Sequence, residues 1–214
     1  MVDPLTVTIS VVSLAISATT AWLTLFRTGT VRMTQPTMIF MGPDGPSGGP
    51  KVYLRTLLYS TAKRGRVVEN MYVKLRFGEA AQNFSFWVYG EARLFPGCGL
   101  FVGSEGVARN HHFALPKDVS FTFTGQKYTL EIYAALVGES APLLLQSVSL
   151  IVTHEQASRM LEERAGILFT WGPDARTYQS HVDIREPKVD RGDRPDFFDL
   201  IMSGLGRDRP KSDD

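Results

Sequence analysis

The feature that most constrains this chain is "LTVTISVVSLAISATTAWLTLF", residues 5–26, which runs for twenty-two residues without a charge. As a helix it spans about 33 Å, which matches a bilayer hydrocarbon core of about 30 Å. Trp22 near its end and Arg27 just after it have the character of a membrane–water boundary. A secretory signal peptide begins with basic residues, whereas this chain begins Met-Val-Asp-Pro. Thr19-Thr20-Ala21 resembles a poor cleavage site, so a cleaved signal is the alternative. An amphipathic helix of a soluble fold is the other, and it would carry charges on its outer face. The segment reads as a membrane span preceded by a short tail, residues 1–4.

Arg27 and Arg32 follow the span and nothing basic precedes it. The excess of Lys and Arg on cytoplasmic flanks then predicts an outside N-terminus and a cytoplasmic C-terminal domain at the plasma (inner) membrane. The charge is unevenly spread. From Arg27 to Gly78 nine basic residues face two acidic ones, a net of +7, while from Glu79 onward fourteen face nineteen, a net of −5. Cys98 is the lone cysteine, so the chain has no intrachain disulfide framework.

Six of the span's eight hydroxylated residues, Thr6, Ser10, Ser13, Ser17, Thr20 and Thr24, step by four, three, four, three and four. That spacing draws one stripe down a helix. Small hydroxylated residues on one face permit close helix–helix approach and cross-helix hydrogen bonds. The stripe predicts self-association through the span. Back-bonding of each hydroxyl to its own helix, or the lining of a small pore in a higher oligomer, are the competing readings.

After the span the period changes to two. Met71, Val73, Leu75 and Phe77 alternate in "NMYVKLRF", Phe84, Phe86 and Val88 in "FSFWVY", and "VSFTFT" alternates throughout. Tyr128, Leu130, Ile132, Ala134 and Leu136 share one face of "YTLEIYAAL", as do Leu144, Val148, Leu150 and Val152 of the next run. Turn residues in "GPDGPSGGP", "KRG", "FGEA", "TGQK" and "VGESAP" separate these runs. The pattern predicts a mainly β fold over 27–153, an antiparallel β-sandwich. In "GQKYTLEI" the residues Gly125, Tyr128, Leu130 and Ile132 resemble the entry to a late strand of bacterial immunoglobulin-like and fibronectin-type sandwiches. The resemblance covers that strand alone; it implies an Ig-like architecture with Tyr128 as a corner tyrosine, and no function. Residues 154–171 read as a short helix followed by "ILFTW", a strand or flap. Residues 172–214 lose periodicity and read as a flexible charged tail. Within it lies an apolar island, 196–205, whose Phe197, Phe198, Leu200, Ile201 and Leu205 are a candidate for docking to a protein partner or back onto the domain.

Catalytic signatures are thin. His111 and His112 are adjacent and point to opposite faces of a strand, and Cys98, His154 and His181 add no metal-ligand spacing. The chain has neither a G-x-S-x-G elbow nor a P-loop. No cofactor, no metal and no enzymatic activity are expected. Lys63, Arg64, Arg66, Lys74 and Arg76, read as one hairpin, together with Arg27 and Arg32, suit contact with anionic lipid or another anionic ligand; nucleic acid is not the expected partner. The expectation is a single-pass, membrane-anchored, non-catalytic scaffold or binding protein. The alternatives are a ligand-sensing membrane effector and a periplasm-facing binding domain.

Overall fold

A computed structural model of the chain describes residues 3–26, 28–44, 48–90, 94–116 and 118–184. Arg27 and the island 196–205 lie outside them. Helix α1 occupies Pro4–Ala21. Asp3 caps it, its carboxylate accepting from the Leu5 amide at 3.1 Å, and Pro4 opens the first turn, where its missing N–H is harmless. Trp22–Phe26 continues as a wider π-helical turn. No residue of α1 is buried. The segment Pro4–Thr24 is long and apolar enough to cross a membrane. A core helix of a soluble fold hides its apolar stripe; here both faces are open.

The rest is mainly β, in two antiparallel sheets. The strands are β1 Val31–Met33, β2 Met38–Pro43, β3 Pro50–Ser60, β4 Arg66–Phe77, β5 Ala80–Phe84, β6 Phe86–Gly90, β7 Leu94–Pro96, β8 Leu100–Val102, β9 Val107–Ala114, β10 Lys127–Leu136, β11 Leu143–Ile151, β12 Gly166–Gly172 and β13 Thr177–Asp183. The larger sheet runs β13-β12-β2-β3-β9-β6-β7, with β1 paired to the end of β3. The smaller runs β11-β10-β4-β5, with β8 paired to the start of β4. A single core joins Ile39, Leu54 and Phe113 of the larger sheet to Val73, Leu130 and Leu150 of the smaller. Burial of each such side chain contributes roughly 1.5–3 kcal/mol. A second helix, α2 (His154–Glu162), starts at a capping box in which Thr153 and Gln156 satisfy each other's amides, and it buries Met160.

Tyr128, fully buried, donates its hydroxyl to the Thr124 carbonyl at 2.9 Å and accepts from the Thr124 amide at 2.8 Å. The bond fastens "VSFTFT" to the start of β10. That stretch keeps its alternation, with Phe123 buried and Phe121 half-buried, but forms no strand. Its rings pack on the core edge instead, 5.0 Å apart and edge-on, with Phe121 also 5.8 Å from Phe84.

Four expectations are corrected. The run "FSFWVY" is not one strand, because the chain crosses between sheets at Ser85; Phe84 is buried in one sheet while Phe86 is exposed on the other. Leu144 is exposed, since the β10–β11 register shifts between Ile132 and Tyr133 and a bulge there reverses which residues face inward. "KRG" closes no hairpin: β3 and β4 belong to different sheets, so it is a crossover at one end of the domain. The chain beyond Gly172 is not all tail, for Thr177–Asp183 forms the outermost strand of the larger sheet, paired to β12. Tyr178 holds it there, donating to the Pro36 carbonyl at 2.6 Å and accepting from Gln35 at 2.9 Å. An edge strand with one wet face needs few apolar residues, which is why its periodicity is faint.

Candidate functional site at the end of the domain beside the N-terminal helix

Three residues after the N-terminal helical segment, at Gly29, the chain is already part of the fold. Thr61 donates its amide to the Thr30 carbonyl at 2.9 Å, and the Thr30 amide donates to the Thr61 hydroxyl at 2.9 Å. Arg66, the first residue of β4, reaches back over this junction. Its guanidinium donates to the Gly29 carbonyl at 3.1 Å, to the Val137 carbonyl at 3.4 Å and to the Glu139 carboxylate at 2.8 Å. Only 14% of its side chain is exposed, against 51% for Glu139. The planar fork of donors suits such bridging better than a lysine would. Arg66 is therefore a clamp between the chain leaving the N-terminal helix and the β10–β11 turn. With Gly29 fixed, three residues of chain allow at most about 11 Å between Phe26 and the domain.

Around the clamp the surface is both cationic and apolar. Lys63 and Arg64 are exposed on the crossover, and Arg32 is exposed on β1. Phe101 of β8 is 63% exposed, Val137 56% and Tyr59 36%. Gly65 makes room for the Phe101 ring, since a Cβ there would lie 2.3 Å from Cζ. Glu105, bonded by the Ser104 hydroxyl at 3.2 Å, Glu139, and Glu69, exposed three residues into β4, are acids near this end. Chemically, such a surface combines cations, which attract anions, with apolar side chains, which favour an apolar layer.

The basic residues read as one patch are split. Lys74 and Arg76 stand eight and ten residues along β4 from Arg66, about 26 and 33 Å away at strand rise. Lys74 is half-buried opposite Glu131, and Arg76 is exposed opposite Thr129. The structure brings together Arg32, Lys63, Arg64 and Arg66, and puts Lys74 and Arg76 at the other end. Phe101, Val137 and Tyr59 were not singled out from sequence. Phe101 lies in a three-residue strand and Val137 in a turn, both too short to carry a period.

In α1 Ser10 and Thr20, and in the π-helical turn after it Thr24, donate their hydroxyls to carbonyls four residues back, those of Thr6, Ile16 and Thr20, at 2.7–2.8 Å. Ser13 and Ser17, at the middle of the stripe, make no such bond among the described residues. His111 and His112 occupy β9, on opposite faces, while His154 opens α2 and His181 lies in β13. His112 is half-buried, its ring 4.9 Å from that of Tyr53. His111 is fully buried, its Nδ1 accepting from Trp87 Nε1–H at 3.1 Å, which leaves its proton on Nε2. Burial, then the neighbouring His112 and Arg109, lower its pKa to about 3, so it is a neutral core residue and not a surface or loop histidine. Among the described residues no three His, Cys, Asp or Glu side chains cluster as metal ligands. The chain matches no protein-family model, no curated protein and no solved structure.

Proposed function

We propose that the chain is a single-pass, membrane-anchored, non-catalytic scaffold or binding protein, with its β domain on the cytoplasmic face of the inner membrane. The observation that carries this reading is the pairing of an unburied apolar helix with a domain clamped three residues beyond it. A tether so short turns one fixed end of the fold toward the membrane and leaves the other end open to partners. Arg32 and the neighbouring Arg27 favour the cytoplasmic side. The finer architecture in this reading is an immunoglobulin-like sandwich, supported by the bond from Tyr128 back to Thr124. The apolar island 196–205 is the proposed docking element for a protein partner.

The hydroxyl stripe supports self-association. Ser13 and Ser17 keep their donors available to a neighbouring helix, although bonds of this kind average only about 0.6 kcal/mol. The same two serines favour a second reading, an effector whose associated spans perturb the membrane. Ser13→Leu with Ser17→Leu separates the two: an effector loses permeabilising activity, while a scaffold keeps partner binding. Paired topology reporters fused after Asp214 test the orientation. Activity of the cytoplasm-dependent reporter is the expected result, and activity of the external one makes the domain a periplasm-facing binding module.

A further inference from the structure

Resting on the anchored reading, we propose that Phe101 and Val137 enter the interfacial layer of the membrane while Lys63 and Arg64 bind anionic lipid headgroups beside them. The occupant follows from the tether. Gly29 is fixed at this end by Arg66 and by the Thr30–Thr61 pair, and only three residues separate it from the span. A bilayer surface is thus within reach of this rim whatever else binds the domain. The rim also has the chemistry that a bilayer surface selects. Phe101 and Val137 are among the most exposed large apolar side chains of the β domain, at 63% and 56%, and Phe101 is backed by Gly65 so that its ring lies against the crossover bearing the two cations. Rings and aliphatic groups partition into the headgroup boundary, and juxtamembrane cations are attracted to an anionic leaflet. Glu139 is paired with Arg66, and the other exposed acids near this end are Glu105 and, three residues into β4, Glu69, against Lys63, Arg64 and Arg32. The opposite end supplies a built-in control in Leu161 of α2, which is 70% exposed.

The test uses the full chain in lipid nanodiscs, with Cys98→Ser and one fluorophore-bearing cysteine at 101, 137 or 161. Discs are made of phosphatidylcholine alone or with phosphatidylserine. Retention on the disc during gel filtration is read first, because loss there sinks the anchored reading itself. In retained protein, labels at 101 and 137 in anionic discs are expected to be quenched several-fold less than the label at 161 by an aqueous quencher. Lys63→Glu with Arg64→Glu abolishes that protection while leaving Phe101 untouched, and the label at 137 reports with Phe101 intact. Equal quenching at all three positions overturns the proposal. So does protection that is the same on phosphatidylcholine alone.

Discussion

The two ends of β4 carry the same residue type in opposite circumstances. Arg66 is nearly enclosed and bridges Gly29, Val137 and Glu139, whereas Arg76, ten residues on, is exposed and faces Thr129 across the ladder. A count of charge treats them alike. Their consequences differ because a mostly buried charged donor with three partners, two of them backbone carbonyls, fixes backbone, while an exposed one is solvated and screened. The end beside the N-terminal helix is consequently the more firmly bonded one, and the far end is an ordinary solvated surface.

The largest expected effect strikes both ends together. His111 is neutral in the fold with a pKa of about 3, against 6.5 when unfolded. Its stabilising contribution is complete above pH 6.5 and is lost progressively as pH falls toward 3, because the unfolded chain takes up the proton first. The slope reaches about 1.4 kcal/mol per pH unit. Urea unfolding at pH 7 and pH 5 checks this, and His111→Gln, which retains an acceptor for Trp87, removes that part of the slope.

Arg66→Ala comes next and separates the ends. Loss of the clamp is expected to cost about 1–3 kcal/mol by urea unfolding and to speed amide exchange at Thr30 and Val31 while β10 stays protected at Lys127–Leu130. Tyr128→Phe does the converse. It removes the bond to Thr124 for about 1 kcal/mol and loosens Thr124 without changing exchange at Thr30. Smallest is Arg76→Ala, which should move stability by less than about 0.5 kcal/mol. A cost for Arg76→Ala equal to that of Arg66→Ala erases the distinction between the ends.

What was legible in the sequence followed from period and punctuation. β4 from Met71 onward and β10 alternate cleanly because each has one face on the core, and the short helix read after Thr153 is α2. What escaped depends on distant parts of the chain. Leu144 faces out because of a bulge against β10, and Phe86 belongs to another sheet than Phe84, which no local pattern records. The basic "hairpin" failed for the same reason: nearness in sequence does not say which sheet a strand joins. The clamp was hidden too, since Gly29, Arg66 and Glu139 meet only after folding.

The claim on which everything else depends is that Pro4–Thr24 stays attached and holds the domain at a membrane. Intact-mass measurement of the protein after alkaline carbonate extraction tests it most directly. The account predicts a carbonate-resistant, membrane-bound chain that retains residues 4–26. A soluble chain beginning after Ala21 contradicts it, because the helix would then be a removed signal and Arg66 would clamp the start of a free domain.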